Sequence, residues 1–374
     1  MTSRWIAATA LTGILGSLGC PGPTEPAVAP PSPSATIAAA DPPVAPAAPG
    51  PLPTTLTRGT GTPADAKLEA GDTAYLAGHY DQAASHYREA ATLAPKDPAP
   101  HVGIARAILA ASDVPTGVNS APGHPTALQA VTSLQLAVNL EPGFAPAQLE
   151  LGRTLLVLGE IEGALEALAR AADLAPGDAE AHSTLGIARL LTGQPVDAVV
   201  SLRRAVELDG TNADRHANLG TALLQGGQPA DAVQAYRRAI EINPAVARYQ
   251  TSLGTAYLQL GDVTGALPHL KRAVQLDPKR ATARSNLGFA WLQAGDRKRA
   301  ILAYREALKL DPKLASAWIN LGNALAQEKK YGDARDAYRQ AQQIDPEDPR
   351  VEAIMKELEE LEKANPDQAG GQHP

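Results

Sequence analysis

The chain has 374 residues, room for two or three ordinary domains, yet aromatic residues make up only 4%, as expected where alanine and leucine do most of the packing. A formal net charge of −7 argues against nucleic-acid binding through a broadly basic surface. No Walker loop, dinucleotide fingerprint, Cys-x-x-Cys or His-Glu-x-x-His is present, so nothing in the sequence points to an enzyme or to a bound cofactor.

Residues 1–20 read as a signal peptide. Arg4 supplies the basic start, and the apolar run from Trp5 to Leu18 is too short and too poorly flanked to span a membrane. The sole cysteine, Cys20, ends it. Leu18-Gly19-Cys20 resembles the lipobox of bacterial lipoproteins, with leucine one place later than usual and Ser17 in its stead. That resemblance implies lipidation of Cys20 and a membrane-anchored protein on the periplasmic side of a bacterial envelope. Simple secretory cleavage near Gly19, giving a soluble periplasmic or secreted protein, is the alternative. Residues 21–63 hold 13 prolines with Ala, Thr and Ser between them, and almost no aliphatic periodicity. Such a stretch cannot bury a core, and it is expected to be a disordered, extended tether.

From residue 64 onward one spacing dominates. Counting Ala315 as position 1 of a unit, Trp318 is at 4, Leu321 and Gly322 at 7 and 8, Ala334 at 20, Tyr338 at 24, Ala341 at 27 and Pro346 at 32. Stepping back by 34 from Gly322 meets Gly288, Gly254, Gly220, Gly186 and Gly152, each preceded by leucine. The same step from Ala334 meets Ala300, Ala266, Ala232, Ala198 and Ala164. Small residues at 8, 20 and 27 suit two antiparallel helices that cross closely. Glycine at 15 suits a first helix ending with φ > 0, and proline at 32 closes the second helix. No such pair buries its apolar seam alone, so the units must stack. The pattern closely resembles the tetratricopeptide repeat family. The resemblance implies an all-α, right-handed solenoid of about eight helix-turn-helix repeats over residues 64–348.

Repeat 1 starts at Ala64 with a weak first helix, as terminal repeats often have, and repeat 2 starts at Pro98. Repeat 2 carries an insertion near residues 112–125, between its two helices, expected as a loop. Repeats 3 to 8 start at Ala145, Ala179, Ala213, Ala247, Ala281 and Ala315. Pro268, at position 22 of repeat 6, predicts a mild kink or a late helix start. In residues 349–363, Val351, Ile354, Met355, Leu358 and Leu361 form one apolar stripe, which predicts a helix capping repeat 8. Residues 364–374 read as a disordered tail.

His182 and His216 share position 4 of neighbouring repeats, but that is a packing position without a third ligand, so no metal is expected. Asp81, Asp262 and Asp296 fall at starts of second helices, where capping explains them. In the family this chain resembles, positions 2, 5, 6, 9, 12 and 13 of the first helix face a concave groove. Position 6 is Asn218, Ser252, Asn286 and Asn320 in repeats 5 to 8, and position 13 is Gln225, Gln259, Gln293 and Gln327. Amides both donate and accept, so two such rows could hold an extended peptide backbone, provided the amides are solvent-exposed. The asparagine row is similar to the ladder in the repeat domain of O-linked N-acetylglucosamine transferases. Asparagine at position 6 serving only local hydrogen bonding is the alternative. Lys and Arg beside Asn, as in the carboxylate clamp of chaperone-binding members, are not found as a full set, although Arg153, Arg189, Arg248 and Arg284 could add positive points.

The expected function is a scaffold for protein or peptide segments, with no small-molecule substrate. Its overall plan is similar to that of lipid-anchored repeat proteins that act as pilotins for type IV pilus secretins. An adaptor presenting substrates to an envelope enzyme such as a peptidoglycan hydrolase is the other reading.

Overall fold

The computed structural model describes residues 55–364; the signal peptide with Cys20, most of the linker and the tail after Ala364 lie outside the described residues. Within them, seventeen helices follow one another in antiparallel pairs. Repeat 1 is α1 (Pro63–Leu76) and α2 (Tyr80–Leu93), and repeat 2 is α3 (Ala99–Ala110) and α4 (Pro125–Leu140). Repeat 3 is α5 (Ala145–Leu158) and α6 (Ile161–Leu174), repeat 4 is α7 (Ala179–Leu191) and α8 (Pro195–Leu208). Repeat 5 is α9 (Ala213–Gln225) and α10 (Pro229–Ile242), repeat 6 is α11 (Ala247–Gln259) and α12 (Val263–Leu276). Repeat 7 is α13 (Ala281–Gln293) and α14 (Arg297–Leu310), repeat 8 is α15 (Ala315–Gln327) and α16 (Tyr331–Ile344), and α17 (Pro349–Ala364) closes the series. The chain is therefore an all-α solenoid of eight repeats.

The 34-residue pattern acts through two contacts. At position 8 the first helix lies against the position 24 side chain of its own second helix. A Cβ placed on Gly322 would sit 2.2 Å from the Tyr338 ring, and one on Gly152 would sit 2.5 Å from Leu168. Only a hydrogen fits there, and the ring or leucine so admitted is fully buried in every case from Tyr87 to Tyr304. At position 15 the turn between the helices needs the left-handed conformation, which Gly159, Gly193, Gly227, Gly261 and Gly295 adopt with φ between 70° and 83°. Repeat 8 meets the same demand with Lys329 at φ 59°. Asp262 and Asp296 accept from Gly265 and Arg299 backbone N–H groups as expected of caps, whereas Asp81 lies in a first turn and makes no cap bond.

Pro268 does not delay its helix. α12 begins at Val263 like its counterparts, and the proline sits in its second turn, where it simply lacks an N–H for the carbonyl one turn back. Along α17, Val351, Ile354 and Leu358 are buried and Met355 packs against the same core, so the stripe covers repeat 8 as its pattern requires. Leu361, at 38% exposed, falls at its edge. The insertion in repeat 2 is tied down: Asn119 N–H donates to the Leu156 carbonyl at 2.8 Å and Ala121 N–H to that of Val157 at 3.1 Å. It thereby gives the Val157 carbonyl at the end of α5 a donor and adds a second one to Leu156, which also accepts the Gly159 N–H at 3.2 Å.

Candidate peptide-binding groove

The two amide rows have different fates. Gln225, Gln259, Gln293 and Gln327 are each the last residue of a first helix, in α9, α11, α13 and α15. Three of them are exposed and Gln293 is half-buried, so one amide per repeat stands along one edge of the solenoid. Gln327 also accepts from Arg297 Nε at 3.3 Å.

The position 6 row corrects the expectation of exposed amides. Asn218 is 2% exposed, Asn286 and Asn320 are 0%, and Ser252 is 4%. Asn286 Nδ2 donates to Thr255 Oγ1 of the preceding repeat at 3.0 Å, and that hydroxyl donates on to the Thr251 carbonyl at 3.0 Å. Asn218 and Asn320 are likewise engaged within the protein. The physical reason is the closeness of successive first helices, which leaves position 6 pressed against a neighbouring helix. Asn286 thereby joins two repeats, which is the local hydrogen-bonding role.

The four arginines are also committed. Arg248 pairs with Asp214 at 2.8 Å and stacks on Tyr249, whose hydroxyl donates to the same carboxylate. Arg284 donates to Glu306 and to the Pro278 carbonyl, and Arg189 to Ser201 and the Asp197 carbonyl. Arg153 lies 3.7 Å from Glu150, which also binds Arg106 Nε at 2.8 Å. Burial pushes the Glu150 carboxyl up, but the Arg106 and Arg153 charges prevail and hold it below the usual carboxylate range.

Position 4, taken from sequence as a packing site, is a polar latch. Gln148, His182, His216, Arg284 and Trp318 each donate a side-chain N–H to the carbonyl six residues earlier, in the turn before their own repeat. The histidine rings therefore carry their proton on Nε2 and point at Pro176 and Gly210 rather than at each other. Among the described residues no three His, Cys, Asp or Glu side chains gather as metal ligands. The signal was available: every position 4 residue in repeats 3 to 8 bears an N–H.

Residues 55–62, assigned from composition to the linker, pack on repeat 1. Leu56 is 2% exposed, and its N–H donates to Asp72 Oδ2 at 2.9 Å. The Arg58 side chain reaches Asp97 at 3.1 Å and Glu141 at 2.9 Å and lies 4.4 Å over the Phe144 ring. Asp65 accepts N–H groups of Arg58, Thr60 and Gly61. Burial pushes its carboxyl up, yet these bonds outweigh that and hold it below the usual range. Nothing periodic announced this segment, since it holds a single large apolar residue.

Comparison with known proteins agrees with this geometry. The tetratricopeptide repeat pattern matches residues 58–115, 149–213, 218–281 and 286–349, together more than half of the chain. Among solved structures, the APC/C hetero-tetramer Cut9-Hcn1 is similar with a TM-score of 0.56 and 16% identity, over 80% of this chain and 57% of that one. This chain thus spans little more than half the length of that relative. Pseudomonas aeruginosa pilF aligns with a TM-score of 0.49 and 20% identity, over 57% of this chain and 97% of that one. MamA aligns at 0.41 and 28%, over 44% and 96%. Against curated proteins no match is found. At such identities the structural likenesses speak to fold alone, but the extent of the repeat pattern settles the family. The chain belongs to the tetratricopeptide repeat family.

Proposed function

We propose that this protein is a scaffold that binds protein or peptide segments along its solenoid, held at a bacterial envelope through a lipid on Cys20 and acting as an assembly factor in the manner of a pilotin. The observation that carries the binding role is the glutamine row: Gln225, Gln259 and Gln293 repeat at one per unit on rigid helix ends, with amides open to solvent or half so. A fixed spacing of donor-acceptor groups suits the backbone of an extended chain whatever its side chains. The anchoring role rests on Leu18-Gly19-Cys20 and the proline-rich stretch after it.

The test is crosslinking in intact envelopes, followed by recovery of the protein and its partner. Changing Gln225, Gln259 and Gln293 to Ala should leave stability within about 0.5 kcal/mol per site. Three lost hydrogen bonds at roughly 0.5–1.5 kcal/mol each should weaken partner binding about tenfold or more. Undiminished recovery by the folded variant removes the row as the site. Cys20→Ala should move the protein to the soluble fraction, and sedimentation with membranes would refute the lipid. Recovery of a peptidoglycan hydrolase in place of an assembly component would favour the adaptor reading.

A further inference from the structure

The inner face of repeat 1 holds a buried carboxylate with one oxygen committed to the fold and one not. Asp72, at position 9 of α1, is 4% exposed. Its Oδ1 accepts the Tyr87 hydroxyl at 2.8 Å, a bond within the repeat. Its Oδ2 is met by residues 56 and 57: the Leu56 N–H at 2.9 Å and the Thr57 hydroxyl at 3.4 Å. Without that segment, a buried anionic oxygen would lose both of these partners, a costly state. The position 9 residues of later repeats are Arg106, Arg153, Ile187, Thr221, Thr255, Phe289 and Asn323, none of them an acid. Asp72 is thus a departure from the repeat pattern, placed where an incoming backbone N–H can reach it.

Two residues on, the same segment makes its second attachment. Asp97 belongs to the turn after repeat 1, Glu141 and Phe144 to the turn after repeat 2, and all three converge on Arg58. Two acids and a ring face around one guanidinium form a receptor for a basic side chain. Between the two attachments Leu56 enters the apolar core of the first repeats. The set of contacts reads one chemistry: an apolar residue with a free N–H, followed two places later by arginine.

We propose that repeats 1 and 2 form a binding site for a peptide segment of the type apolar-x-Arg, and that Thr55–Arg58 occupies it in cis as an internal ligand. A short tether holds the segment at an effective concentration on the order of millimolar. Micromolar peptide from another chain therefore competes poorly until the strap is weakened. This site is separate from the glutamine row of repeats 5 to 8, so its test does not depend on the envelope partner.

The experiment uses the full chain and a fluorescent peptide of residues 53–60, Pro-Thr-Thr-Leu-Thr-Arg-Gly-Thr, read by anisotropy. Leu56→Asp with Arg58→Glu should release the strap and bind the peptide at least about tenfold more tightly than the unaltered chain, the factor set by the tether. Adding Asp72→Asn to that variant should abolish binding, and a peptide with Asp and Glu in place of Leu and Arg should not bind. Equal binding by the unaltered and strap-released chains, or none by a strap-released chain with unchanged helicity, overturns the proposal. If the double variant loses its helical signal, Arg58→Glu alone, a substitution at a partly exposed side chain, decides by the same titration: no gain in peptide binding overturns it.

Discussion

The Tyr338 hydroxyl donates to Asn323 Oδ1 at 2.8 Å, joining position 24 of the second helix to position 9 of the first. Tyr87 makes the same link to Asp72 at 2.8 Å, and Tyr236 shares a hydrogen with Thr221 at 3.1 Å. Repeat 7 has the tyrosine without its counterpart. Position 9 there is Phe289, and the Tyr304 hydroxyl is buried with no hydrogen-bond partner. Burial alone pushes its pKa well above the ordinary tyrosine value.

That contrast predicts opposite outcomes for one substitution. Tyr338→Phe deletes a made bond and should lower stability by about 1–3 kcal/mol, because Asn323 Oδ1 stays buried. Tyr304→Phe removes a hydroxyl whose desolvation nothing offsets, and it should be neutral or stabilising by up to about 1 kcal/mol. Urea unfolding of the two variants beside the parent checks this, and equal destabilisation would contradict it.

Glu150 predicts a pH dependence. Its folded pKa is depressed by Arg106 and Arg153, so its contribution is complete above the unfolded carboxylate value of 4.5 and is lost as pH falls through the lower folded value. Thermal stability should therefore decline as pH is lowered below about 4.5. Glu150→Gln should cost about 3 kcal/mol at neutral pH, since Arg106, 1% exposed, loses a charged partner, and the acid-side decline should become shallower. An unchanged acid profile in the variant would assign the decline to other carboxylates.

Lys329 stands where six earlier repeats, from Gly78 to Gly295, have glycine, with φ 59°. A side chain there bears the strain of the left-handed conformation, so Lys329→Gly should raise stability by about 0.5–1 kcal/mol. Chemical denaturation of the variant measures this directly, and a loss of stability would mean that the lysine side chain supports the turn in another way.

The helices and their pairing were legible because a 34-residue period ties residue size to geometry. Gly322 and Tyr338 can be matched from sequence alone, and a Cβ on the one would overlap the ring of the other. The capping stripe of α17 was legible for a similar reason, since Val351, Ile354 and Leu358 share one helical face. Which rows face solvent was not. Asn286 and Gln293 recur with equal regularity, yet one is fully buried and the other half-open, because exposure depends on how closely neighbouring first helices approach. A repeat period is silent on that distance. Leu56 was illegible for another reason. Its burial depends on Asp72 and on turns from two repeats, and composition places it among prolines.

The position 4 latch gives the joints of the solenoid unequal characters. Repeats 3, 4, 5, 7 and 8 are each fastened to the preceding turn by an N–H to carbonyl bond. In repeat 6 the equivalent Gln250 is taken by His269 at 2.9 Å, and that joint leans instead on Asp214 with Arg248 and Tyr249. All five of those latches end on a neutral backbone carbonyl, and salt barely screens such bonds. The Asp214 link is ionic and partly open to water, so raised ionic strength loosens it. Among the joints made by repeats 3 to 8, the one between repeats 5 and 6 therefore relies on an ion pair in place of a latch, so added electrolyte weakens its polar hold more than that of a latched joint.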